Sequence, residues 1–163
     1  MQHWWAARIR RTWSYVRARV DDRERAELAT WLTPAQLGLF DSMHRADQRH
    51  GLDVVAYLRS RGATSTDLLL AGLLHDSGKG RRVRLVHRIA WTLGQRYGAW
   101  IWRAAVHLPT FRTGLTTLKN HAVRSAELAE AAGCGVAIGE LIRNQEKPTN
   151  ESGRLLLEAD ESN

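Results

Sequence analysis

A single cysteine in 163 residues has no partner for an internal disulfide, so the chain fits a reducing compartment, and Cys134, between two glycines, is given no role. Only three prolines interrupt the chain, and its apolar residues mostly recur at steps of three and four. That spacing predicts an all-α protein. No apolar run approaches the length of a membrane span, and the first residues lack the continuous apolar core of a signal peptide, so the expectation is a cytoplasmic protein. Negative charge is also in deficit: 17 acidic residues stand against 24 basic ones, for a formal charge of +7 and an isoelectric point near 10.5. This balance favours anionic partners, whether phosphate esters, nucleic acid or an anionic membrane, without choosing among them.

What is present is ordinary in bulk. A hydrophobic fraction of 44% and a charged fraction of 25% describe a globular chain long enough for one domain with a real core. Residues 2–20 place Trp5, Ile9, Trp13, Val16 and Val20 on one helical face, with Arg8, Arg10, Arg11, Arg17 and Arg19 on the flanks. Such a helix suits an anionic membrane or nucleic acid, or else packs its stripe on the domain or on a second copy, which would make a homo-oligomer. The stripe as core is the favoured reading, with peripheral attachment to a membrane as the alternative. The division follows as a basic, Trp-rich helical extension over 1–33 and a main domain over 34–163.

Within the main domain, Thr33-Pro34 is a helix start, Asp47 is a candidate cap for the helix carrying His50, and Ser65 or Thr66 caps the next. Helices are further expected over about 83–93, 95–107, 115–132, 135–146 and 154–160, with a loop over 109–114. The stretch 67–80 organises the rest: an apolar, leucine-rich helix carries His75 and Asp76 at its last turn, and Gly78 is expected to end it. A histidine suits that position, but a carboxylate at a helix C-terminus opposes the helix dipole, so Asp76 calls for another reason to be there. His and Asp suit a borderline or hard divalent cation, and the scarcity of cysteine argues against structural zinc or an iron–sulfur cluster.

The order of these residues resembles the HD superfamily of metal-dependent phosphohydrolases. His50 in DQRHGLDVVAYL is similar to that family's first histidine, His75-Asp76 in LLHDSGKG to its central doublet, Lys79 to the lysine that often follows, and Asp160 in LLLEADESN to its closing aspartate. His44 competes for the first place and is read as a surface histidine. The resemblance covers roughly residues 40–163 and implies an HD-domain helical bundle with an extra N-terminal amphipathic segment. It further implies that His50, His75, Asp76 and Asp160 hold one divalent ion (Mn, Co, Ni, Mg, Fe or Zn), with Asp76 and Lys79 catalytic and Lys79 on a substrate phosphate. Arg81 and Arg82 are candidates for drawing in an anionic substrate. His121 resembles an extra ligand of members with two metals, but Asn144 and Gln145 stand where such members often carry histidine, so one metal is favoured. A glycine-tyrosine-proline signature is missing, which argues against cyclic di-GMP as substrate. The expected function is hydrolysis of a phosphoester or phosphoanhydride in a phosphorylated, nucleotide-like small molecule. The alternative is a degenerate HD module that binds a nucleotide or a protein partner.

Overall fold

The computed structural model describes residues 19–81 and 83–163. The Trp- and Arg-rich segment before residue 19, and with it the expected amphipathic helix, lies outside the described residues, as does Arg82.

The described chain is all-α, as the spacing predicts, with ten helices and no strand among the described residues. These are α1 (Asp22–Leu28), α2 (Pro34–Ser42), α3 (Arg45–Ser60), α4 (Thr66–Leu74), α5 (Leu85–Tyr97), α6 (Trp100–Ala105), α7 (Phe111–Lys119), α8 (His121–Ala131), α9 (Val136–Arg143) and α10 (Glu151–Ser162). A 3-10 turn, Ser77–Lys79, follows α4. No described helix is long and apolar enough to cross a membrane.

Helix α4 is the hub because all its residues from Leu68 to Leu74 are buried. A helix apolar on every side must be enclosed by others, and α3, α9 and α10 pack around it. Ser65 caps its start, its hydroxyl accepting from the Leu68 amide. Gly51 lets α3 approach closely: a Cβ there would lie 2.5 Å from the Leu73 carbonyl oxygen. The residue before it is His50, so the missing side chain brings that histidine against the end of α4. Leu28 and Leu32 join the same core, so the region around α1 is packed with the main domain.

A second, small core carries α5 to α7. Ala90, Ala105 and Leu115 meet there, with Trp91 and Trp102 stacked at 4.8 Å between ring centroids. One buried ion pair ties this subassembly back to the hub: Arg88 of α5 donates to Asp47 of α3 at 2.7 Å.

Several local expectations are corrected. Asp47 does not cap α3; His44 does, its Nδ1 accepting from the Ala46 amide, so His44 is a structural cap rather than a surface histidine. Gly78 does not end α4 in a left-handed conformation; the positive φ of 61° belongs to Gly80. Gly78 is needed for proximity instead, since a Cβ there would press on the His121 carbonyl and stand 2.6 Å from the Ser125 amide nitrogen. Gly98, with φ 113°, divides the expected helix 95–107, so α5 runs on to Tyr97 and α6 is short. The expected helix 115–132 is two: α7 starts at Phe111, inside the expected loop, and Asn120 (φ −109°, ψ 10°) breaks the chain before α8. Asparagine competes poorly for helix interiors because its amide bonds nearby backbone. Cys134 is buried, with the Gln36 amide directed at its sulfur, and burial pushes its thiol pKa up.

Candidate metal centre

Three elements bring chemistry together at the C-terminal end of α4. His75 is the cap residue of that helix and Asp76 follows it, so the turn away from the helix frees the pair from the angular separation of about 100° that a regular helix would impose. His50 arrives from α3 and Asp160 from α10. The position of α10 is set by Leu156 and Ala159 in the core and by a Tyr57 hydroxyl that donates to Glu158 at 2.6 Å.

His50, His75 and Asp160 each present a ligand atom, and these atoms lie within 4.8 Å of one another. They form a triad that could hold a metal ion. His50 Nε2 is 2.8 Å from Asp160 Oδ1, and His75 Nε2 is 3.6 Å from the same oxygen. Asp76 Oδ1 stands 3.5 Å from His75 Nε2. Two ligands each about 2.1 Å from one ion stand roughly 3.0–3.4 Å apart. The spacings around His75 are close to that and too long for hydrogen bonds.

Orphaned atoms test whether the residues suit an ion. His75 Nε2 and Asp76 Oδ1 are buried without a hydrogen-bond partner, on side chains only 2% exposed. Leaving such groups unpaired is costly, and a proton on Nε2 or a metal ion would satisfy a nitrogen and an oxygen facing one another. The His75 tautomer agrees: Nδ1–H donates to the Gly72 carbonyl at 2.8 Å, which leaves the Nε2 lone pair aimed at the carboxylates. The donor set therefore fits a divalent cation. The buried side is closed by His75 and Asp76, and the open side is Asp160, whose side chain is 42% exposed, with His50 beside it.

Electrostatics keep the acids ionised. Burial works against charge on Asp76, but Lys79, then His75 and His121, outweigh it and hold its pKa well below the usual carboxylate range. Partial burial opposes charge on Asp160, and the hydrogen bond from His50 together with the neighbouring His75 outweighs it. Burial also disfavours a charged His75, but Asp76 and Asp160 raise its pKa to about 9.

Lys79 is engaged inside the site. Its ammonium makes a short ion pair with Asp76 Oδ2, three residues back. Arg81 is also committed: it donates to the Ser42 and Asp41 carbonyls at the end of α2, so it ties the loop after the 3-10 turn to that helix.

His121, first residue of α8, reaches the edge of the site, with Nε2 3.7 Å from Asp76 Oδ1. Its Nδ1–H donates to the Leu118 carbonyl at 2.7 Å, an arrangement that depends on the break at Asn120. Its Nε2 faces the Gln145 amide nitrogen at 3.1 Å, so that amide donates to the lone pair a second ion would need. Asn144, by contrast, is exposed and bonds the Glu140 carbonyl. Sequence reasoning paired Asn144 with Gln145 and missed Ser125, whose buried hydroxyl accepts from the Gly78 amide and fixes the turn after Asp76. A serine on an apolar helix face was its only signal.

The proton on His75 and an incoming ion compete for the same Nε2. In the metal-free protein this histidine contributes stability that is fully present below its unfolded pKa of about 6.5 and lost as pH rises through about 9. Binding must displace that proton, so apparent metal affinity should rise by about tenfold per pH unit up to that point. Calorimetric titration with Mn²⁺ across this window checks it, and affinity that is flat or falls with pH would contradict the assignment of His75 as a ligand.

Comparison with known protein families, with curated proteins and with solved structures gives no match for this chain.

Proposed function

We propose that the chain is a metal-dependent phosphohydrolase of the HD type, acting on a phosphoester or phosphoanhydride in a nucleotide-like substrate. The observation that carries this reading is the triad His50, His75 and Asp160, whose ligand atoms lie within 4.8 Å of one another, with the buried, unpartnered Asp76 Oδ1 3.5 Å from His75 Nε2. A divalent ion held there supplies Lewis acidity, which lowers the pKa of water and polarises a phosphoryl oxygen. His50, His75 and Asp160 would hold the ion, with Asp76 the fourth candidate on the buried side beside His75. The Gly72 and Leu118 carbonyls fix the tautomers of His75 and His121 through their Nδ1 protons. Lys79 keeps Asp76 charged, and an ammonium has three donors, so two remain for a phosphate oxygen. The basic surface favours anionic substrates as a class.

Gln145 supports one ion rather than two, because its amide occupies the His121 nitrogen. The same observation favours a second reading, a degenerate module that binds a nucleotide or protein partner without turnover. The purified chain, loaded in turn with Mn²⁺, Co²⁺, Ni²⁺, Mg²⁺, Fe²⁺ or Zn²⁺, is expected to release phosphate from at least one member of a panel of phosphate monoesters, diesters and nucleoside polyphosphates, and a chelator should stop it. Metal bound at one equivalent with no turnover on the whole panel would leave the binding module. No metal retained, and no metal-induced rise in melting temperature, would remove the metal centre altogether.

A further inference from the structure

The charges of this chain are segregated. Residues 77–126 contain ten lysines and arginines and no aspartate or glutamate, and all 17 acidic residues lie elsewhere. This span comprises α5, α6, α7 and the start of α8. Of the eight large hydrophobic side chains exposed among the described residues, seven fall within it. Single exposed apolar residues mean little, but their concentration in an acid-free region marks a surface.

The apolar part has helical order. Val86, Ile89 and Tyr97 recur at helical steps on α5, beside the face that buries His87, Ala90 and Gly94 in the small core. Trp100, 61% exposed, continues the stripe at the α5–α6 corner. Its indole N–H donates to the Tyr97 carbonyl, so the ring is held on the surface. Arg96 lies over the Tyr97 ring at 5.6 Å. Arg96, Arg103 and Arg112 are exposed and make no ion pair with a described residue.

We propose that this face of α5 and α6 docks on an anionic phospholipid surface, with Val86, Ile89 and Trp100 entering the headgroup–acyl boundary and the flanking arginines on lipid phosphates. Tryptophan and tyrosine favour that boundary, where one part of the ring is apolar and the other wet. The stretch that carries the arginines has no carboxylate of its own to repel a negative surface. Valine and isoleucine decide against nucleic acid, since a phosphate backbone offers them no apolar burial. The surface uses none of the residues of the candidate metal centre.

Co-sedimentation of the full chain with phosphatidylcholine vesicles, with and without about one third phosphatidylglycerol, tests this. Binding is expected only to the anionic vesicles and should weaken with salt. Ile89→Glu with Trp100→Glu should lower the partition coefficient at least tenfold. Arg96→Gln with Arg103→Gln, which keeps every apolar side chain of the stripe, should lower it by about fivefold for each charge removed. Circular dichroism confirms that each variant is folded, and the arginine pair carries the test if the first variant is not. No binding to anionic vesicles overturns the proposal, as does binding unchanged in both variants, which would place it on residues 1–18. Binding of a duplex oligonucleotide without vesicle binding also overturns it. So does self-association abolished by the glutamate pair without vesicle binding, because the face would then join two copies.

Discussion

Replacing Asp76 by alanine is expected to abolish stoichiometric metal binding and to lower metal-dependent phosphate release by about 10³-fold or more. Asp76 is the most enclosed acid of the site, and its Oδ1 has no partner in the protein. Its loss removes one candidate ligand and one of the two carboxylates that stand beside His75 Nε2. Lys79 would also lose its counter-ion and stand as an uncompensated positive charge beside the site. Asp76→Asn separates the effects, since it keeps the shape and removes the charge; it should remain folded and still fail to hold the ion. Elemental analysis and phosphate release on the most active substrate are the measurements. Activity that survives Asp76→Ala would sink the assignment, whatever the metal content.

The second large effect is structural. Arg88→Ala should destabilise the protein by about 3 kcal/mol or more, because it leaves Asp47 charged and enclosed without its partner. The Asp47 side chain is 2% exposed and the pair spans α3 and α5. Asp47 precedes His50 by one helical turn, so the same change should loosen the face that presents His50 and weaken metal binding as a consequence. Replacing the pair together, Asp47→Leu with Arg88→Met, should recover most of the stability, since a buried ion pair contributes little relative to apolar packing once neither charge is stranded. Urea unfolding of the single and double variants checks this. A loss below about 1 kcal/mol for Arg88→Ala would show that water reaches Asp47 readily.

How much of this was readable from residues differs by element. The unbroken apolar run of α4 from Leu68 to Leu74 announces a fully buried helix, and Ser65 and Thr33-Pro34 announce starts, because caps and periodicity are local chemistry. His75 and Asp76 stood out for the same reason: a carboxylate at the negative end of a helix dipole conflicts with local physics. Helix boundaries were less legible. Gly98 and Asn120 divide what periodicity joins, and Gly78 resembles a cap while acting as a close contact with α8. Lys79 and Arg81 look like free cations in the sequence, and each is engaged by a partner that only folding supplies.

The sequence by itself determined the helical class, the buried hub and the presence of two polar residues at its end, because each follows from the order of neighbouring side chains along one helix. Only the tertiary structure decided that His50 and Asp160, 110 positions apart, meet at 2.8 Å beside that end, and that Gln145 rather than an ion's second partner faces His121. Contacts of that kind depend on how closely helices can approach, here on Gly51 against Leu73 and Gly78 against α8, and no local pattern encodes which distant helix will be there.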